Sequence, residues 1–363
     1  MGLSNENRIM FSVIFPTYGV EAYLPDAIGD ILGQTYRELE LLIVDDASPD
    51  HSGAIADEAA ARDSRVHVIH LPENGGVSGA RNRGLAEAAG DYCLFLDPDD
   101  RFDPDLLDTV REAVAVYHEP DVILYGLTED YFDLKGEKVY SIVHTPPGQY
   151  FSSTEELRKI LMPLEEATLY GYPWNKAYRT AFLKENGFSF PKIPHIEDVL
   201  FNADVFDRAR SLVTLDRQPV HYRNVLSEER KTRLTAGHID EYFDLQKRRV
   251  QRLLGQQRAF GTLDAEAYRI LSAEYFRSFS SGISRDLSEG MKKKSLWEKL
   301  RNEMETDLFL ELAPRFIPAG RAMKFLMQPL ADRKAKKAVR RAGLVAFVRR
   351  RFPGLFAKLK QER

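Results

Sequence analysis

The chain has 363 residues, 44% of them hydrophobic, and a formal net charge of −4. That is enough apolar content for one large core or two domains, and the charge makes no case for a nucleic-acid partner. One cysteine, Cys93, excludes an internal disulfide and fits a reducing, cytoplasmic setting; no run approaches the roughly 18 apolar residues of a membrane span, and Met1 to Arg8 is polar, unlike a leader.

In chain order, Met10 to Phe15 reads as a first strand, closed by Pro16-Thr17-Tyr18-Gly19. A helical stripe follows with Leu24, Ile28, Ile31 and Leu32 on one face. Leu39 to Val44 is a second strand ending in Asp45-Asp46, and an alanine-rich helix covers His51 to Arg62. Val66 to His70 is a third strand. After the Asn74-Gly75-Gly76 loop, Val77 to Ala89 is a helix that Gly90 stops. A fourth strand begins at Tyr92. Strand and helix alternate four times, which predicts a parallel, doubly wound α/β sheet.

The fourth strand ends in Asp97-Pro98-Asp99-Asp100. Pro98 cannot extend a sheet, so the strand stops there and leaves three carboxylates at its carboxyl end. Ligands sit at that edge of open α/β sheets. Clustered like charges with oxygen-only donors suit a hard cation, Mn²⁺ or Mg²⁺, and the same residues suit a turn and helix cap before Pro104. Neither a G-x-G-x-x-G fingerprint nor a P-loop is present, so nucleotide phosphates here call for a metal and arginines.

Four ordered motifs resemble the nucleotide-sugar half of the family 2 glycosyltransferases. They are Ser12 to Tyr18, Leu42 to Ser48, Glu73 to Leu85 and Leu96 to Asp100. The resemblance implies a Rossmann-like GT-A domain, an α/β fold, with a nucleoside-diphosphate sugar donor. It implies that Pro16 and Tyr18 border the base, that Asp45 hydrogen-bonds it, that Arg81 contacts the nucleotide and that Asp97 approaches the ribose. It implies that Asp99, with Asp100, ligates the metal. Asp46 reads as a turn residue and Arg83 as a solvated helix residue. Gly19 stands where the family often has asparagine.

The second half is less regular. Asp121 to Tyr125 is a short strand, and Thr128 to Val143 reads as a hairpin about Lys135-Gly136-Glu137. His195 to about Ala209 opens a helix on Glu197-Asp198. These carboxylates read either as favourable helix N-terminal charge or as a base for an acceptor hydroxyl. Trp174-Asn175-Lys176 and Ile196 to Phe201 resemble the family's acceptor-side motifs, which implies that Asp198 is the catalytic base and Glu197 an acceptor-side residue. Trp174 reads equally as an acceptor stacking platform and as core. His195 is read as a structural neighbour. His221 lies in a strand, with metal contact as its alternative role.

From His238 the pattern is helical, through Leu254, Tyr268 to Ser281 and beyond Ser295, broken at Pro314 and Pro318. From 333 to 363 twelve Lys or Arg face one Glu, interleaved with Leu344, Phe347, Phe352 and other apolar residues. That suits an anionic membrane surface, with nucleic-acid binding and a plain solvated helix as the competing readings. The expected domains are a transferase domain over 1–230 (donor half 10–103, acceptor half 104–230), a C-terminal α-helical extension over 231–332 and a basic amphipathic tail over 333–363. The expected function is metal-dependent inverting transfer from a UDP-sugar to a surface-glycan or lipid-linked acceptor, at the inner face of the cell membrane. The alternatives are a sugar-nucleotide nucleotidyltransferase and a non-catalytic sugar-nucleotide-binding module that recruits partners to the membrane.

Overall fold

The computed structural model describes residues 8–225, 242–288 and 290–351. The chain divides into two compact units, Met1–Ile239 and Asp240–Arg363. The boundary expected near residue 230 lies outside the described residues, as do 238–241 of the helix expected from His238.

The first unit is built on ten strands: β1 (Phe11–Thr17), β2 (Leu39–Asp45), β3 (Val66–His70), β4 (Tyr92–Phe95), β5 (Arg101–Phe102), β6 (Val122–Phe132), β7 (Lys138–His144), β8 (Gln149–Phe151), β9 (Lys176–Arg179) and β10 (Leu212–Val225). Its helices are α1 (Leu24–Leu32), α2 (Ser52–Arg62), α3 (Val77–Glu87), α4 (Leu106–Val116), α5 (Thr154–Glu166), α6 (Thr180–Glu185) and α7 (Glu197–Arg208). The sheet order is β3-β2-β1-β4-β9-β6-β10-β5, with β7 on β6 and β8 on β10.

The first four strands are parallel, as the strand–helix alternation predicts. Both β1 and β2 are apolar along nearly their whole length and buried on both faces, as a helix-covered parallel sheet requires. Beyond β4, outside the stretch that predicts the parallel sheet, the pairing changes. There β9 inserts antiparallel between β4 and β6, so the sheet is mixed. Helix α3 lies directly on β1: a Cβ at Gly84 would collide with Ile14. The hairpin forms as read, with Asp133 Oδ1 accepting from the N–H groups of Lys135 and Glu137 and Gly136 at φ +84°.

Helix α5 is absent from the sequence reading because Pro163 lies inside it. Its usable mark is a capping box: Ser153 Oγ accepts from Glu156 N–H and donates to Glu156 Oε2.

The second unit is helical: α8 (Tyr242–Phe260), α9 (Ala265–Ser288), α10 (Lys293–Glu303), α11 (Asp307–Leu312), α12 (Gly320–Leu326), α13 (Gln328–Ala331) and α14 (Ala335–Arg351). Its core gathers Phe243 stacked on Phe279 at 4.6 Å, with Tyr275 and Phe276 alongside. The buried Glu303 is satisfied by Tyr275 Oη and Lys247 Nζ. Of the expected tail, α14 buries Ala338, Val339 and Ala342 and exposes Leu344 and Phe347; residues 352–363 lie outside the described residues.

Candidate active site

The carboxyl ends of the parallel strands carry the residues expected to meet the donor. Thr17 and Asp45 are register partners at the ends of β1 and β2, Pro16 pairs with Val44, and Leu96 N–H reaches Ile14 beside them. Asp45 is buried and accepts from Ser48 N–H at 3.1 Å and faces His70 Nδ1 at 3.0 Å. Burial works against its charge, but those hydrogen bonds prevail and hold its carboxyl below the ordinary range. Tyr18 is 48% exposed at the mouth. Gly19 sits at φ +65°, a region glycine and asparagine both tolerate, which accounts for the exchange at this position. Asp46 does more than turn the chain: its two oxygens accept from Gly75 and Gly76 N–H at 2.7 and 2.8 Å, clamping the loop ahead of α3.

Helix α3 joins the N-terminal strands to the 190–191 segment. Ser78 Oγ donates to Pro191 O, and Asn82 exchanges two hydrogen bonds with Phe190. Between them, Arg81 is 2% exposed. Its guanidinium donates to Asp97 Oδ1 at 3.0 Å and to Asp198 Oδ1 at 2.5 Å, and Glu197 Oε1 lies 3.9 Å away. The resemblance implies a nucleotide contact for Arg81; here its guanidinium hydrogen-bonds Asp97 and Asp198 and has Glu197 nearby, while its Nε has no hydrogen-bond partner. Arg83, half exposed, pairs with Glu87 on the outer face, as read.

Asp198 enters from the other half of the unit. His195 adopts φ +80°, an uncommon region for a residue with a Cβ, and turns the chain into α7. Glu197 and Asp198 occupy the first turn of that helix, where its dipole favours negative charge. Burial raises the Asp198 carboxyl above its ordinary range; Arg81 opposes this, while Glu197 and Asp97 add to it. Glu197 is raised too, chiefly by burial, and its Oε2 is buried without a hydrogen-bond partner.

The turn after β4 closes with Asp100 N–H on Asp97 O. Asp100 is buried; Oδ1 accepts from Arg223 N–H at 2.9 Å, and Oδ2 is buried with no partner. Burial, then the neighbouring carboxylates, raises both Asp99 and Asp100. An orphaned carboxylate oxygen in an all-oxygen, like-charged cluster fits a hard divalent cation. Among the described residues no three His, Cys, Asp or Glu converge into a complete metal cage. His221 is engaged elsewhere, between Asp130 at 3.0 Å and Asp103 at 3.3 Å.

On the acceptor side, Trp174 is 4% exposed and sandwiched between Tyr172 (4.8 Å, 23°) and Tyr222 (5.3 Å, 3°). With both faces covered it has no ring face for a sugar, so of its two readings the core one holds. Lys176 is fully buried and donates to the carbonyls of Leu169 and Tyr172 and to Asn175 Oδ1, which ties the loop carrying Trp174. A Cβ at Gly171 would lie 2.8 Å from Val199, and Asn202 Nδ2 donates to Gly171 O. That loop is therefore locked onto α7, the helix of Asp198. Sequence reasoning missed Tyr172, Tyr222 and the Gly171 contact; the pairing of an N-terminal arginine with an acid 117 residues away left no local mark.

The model of the family described as "Glycosyl transferase family 2" matches residues 12–185. A Haemophilus influenzae protein named as an uncharacterized glycosyltransferase is 31% identical over 171 residues, 46% of this chain and 67% of that protein. The Bacillus subtilis glycosyltransferase EpsJ, also named as uncharacterized, is 31% identical over 218 residues, 59% of this chain. The chain spans 61% of the length of that relative. Staphylococcus aureus TarS, named as a poly(ribitol-phosphate) beta-N-acetylglucosaminyltransferase, is 29% identical over 218 residues, 58% of this chain and 35% of TarS. The crystal structure of TarS 1-349 in complex with UDP-GlcNAc matches with a TM-score of 0.63 at 22% identity, over 92% of this chain and 91% of that one, a likeness of GT-A fold. With the family's motifs in order at the strand ends and a relative covered over two thirds of its length, the chain belongs to glycosyltransferase family 2.

Proposed function

We propose that this chain transfers a sugar, with inversion, from a UDP-sugar to a surface-glycan or lipid-linked acceptor, using a divalent cation. The observation that carries the reading is the Asp97–Arg81–Asp198 bridge, which sets a donor-side carboxylate and an acceptor-side carboxylate on one guanidinium. Pro16, Tyr18 and Asp45 border the nucleotide base, and Asp97 faces the ribose. Asp99 and Asp100 would hold Mn²⁺ or Mg²⁺. The cation, when bound, neutralises the diphosphate leaving group. Asp198 takes the proton of the acceptor hydroxyl, and its raised affinity for protons suits that task near neutral pH. Arg81 is a positioning residue: it aims Asp198 and moderates its proton affinity. The UDP donor is supported by the name of the TarS complex.

Membrane association is proposed for the exposed Leu344 and Phe347 of the basic helix α14. No helix among the described residues is long and apolar enough to cross a membrane.

The test is turnover on a panel of UDP-sugars with Mn²⁺ and with EDTA, for wild type and Asp99→Ala. Wild type should release UDP only with metal. Asp99→Ala should lose most turnover and bind UDP more weakly than wild type with Mn²⁺ but equally with EDTA. Metal-independent turnover, or equal UDP affinity in Mn²⁺, contradicts the reading.

A further inference from the structure

Next to the proposed reaction centre, one sheet face carries an unusual set of side chains. Strands β10, β6 and β7 lie side by side, with Tyr222 beside Glu129 beside Ile142, and Asn224 beside Tyr131 beside Tyr140. Residues two apart on a strand share a face, so both rows lie on the same side of the sheet. Tyr131 and Tyr140, both half-buried, stack one ring on the other at 4.4 Å and 13°, making an aromatic pair with its outer ring edge and face as the plate. Between the plate and Tyr222 lie polar groups. Glu129 accepts from Tyr131 Oη at 2.6 Å, and its other oxygen faces His144 Nε2 at 2.9 Å. Tyr222 begins the Tyr222–Trp174–Tyr172 stack, whose outer ring, Tyr172, is 37% exposed. The face runs towards the proposed reaction centre, because Arg223, next to Tyr222 on β10, donates its N–H to Asp100 Oδ1 at 2.9 Å.

Aromatic rings beside hydrogen-bonding groups match the two sides of a pyranose. Its C–H face is apolar and packs on an aromatic ring; its hydroxyl rim needs carboxylate, imidazole or amide partners. A catalytic acceptor site needs to hold only the sugar bearing the reacting hydroxyl. A second aromatic plate in line with it has a use only if more of the acceptor chain is present. Resting on the transferase reading above, we infer that the β10–β6–β7 face is an extended subsite for the non-reacting sugars of an oligomeric glycan acceptor, with Tyr172 and the Tyr131–Tyr140 plate as its stacking platforms. The occupant is carbohydrate, since the face is continuous with the acceptor side of the site and alternates ring and hydrogen-bonding group.

The test uses the full chain on an array of bacterial surface oligosaccharides, each present as a single sugar and as longer fragments. Calorimetric UDP binding is run in parallel. Wild type should bind the longer members of at least one series about tenfold better than the single sugar. Tyr140→Ala should lose that gain, while Tyr140→Phe, which keeps the ring, should retain it. Both variants should bind UDP and melt like wild type. The inference is overturned by wild-type binding that does not rise with glycan length, or by Tyr140→Ala binding long fragments as wild type does. In either case intact UDP binding leaves the transferase reading standing, whereas loss of UDP binding by wild type strikes that reading itself.

Discussion

At the scale of the residue, Arg81 explains most of the site. Three carboxylates share one buried guanidinium, so their protonation is balanced against one cation. The acidic limb of kcat/KM reports the free enzyme's base, and burial places the Asp198 limb above the ordinary carboxylate range. Arg81 pulls that proton affinity down. Arg81→Lys keeps the charge but cannot hold Asp97 and Asp198 at once. Its attraction for Asp198 weakens, so the limb should move to higher pH; a limb that stays or moves lower contradicts the assignment. The carboxylates at 97, 99 and 100 were legible because Pro98 forces the strand to end among them. The function of Arg81 was not, because its partner Asp198 is remote in sequence and only the fold joins them.

At the scale of the element, α3 and α7 are the two parts that must keep register. Helix α3 presses on β1 through Gly84 and on the 190–191 segment through Ser78 and Asn82. Helix α7 presses on the Gly171 loop through Val199. Gly171→Ala puts a methyl where Val199 stands, and overpacking of this kind costs about 1–3 kcal/mol. The shift displaces Asp198, so turnover should fall roughly tenfold or more while UDP affinity holds. A variant with wild-type turnover would show that the contact does not position the base. The alternating first half of the sheet was readable from hydrophobic period alone. The antiparallel β9 was not: four residues carry no period of their own, and their partners on β4 and β6 lie far off in the chain.

At the scale of the whole molecule, the proposed donor and acceptor residues all lie within the first unit, and the second is a helical body ending in basic helix α14. Leu344 and Phe347 are one turn apart and 53% and 60% exposed. Replacing both by serine should weaken binding to anionic liposomes about tenfold or more, with turnover on a soluble acceptor unchanged; undiminished liposome binding removes the membrane proposal. The central claim is that Asp198 is the base of a sugar transfer whose donor site is separately built. Asp198→Asn keeps the shape and most of the hydrogen bonding but cannot take a proton. The decisive measurement pairs calorimetric UDP binding with turnover in this variant. The account predicts UDP affinity close to wild type and a rate roughly 10²–10⁴-fold lower. Near wild-type turnover, or collapse of UDP binding together with the rate, would contradict it.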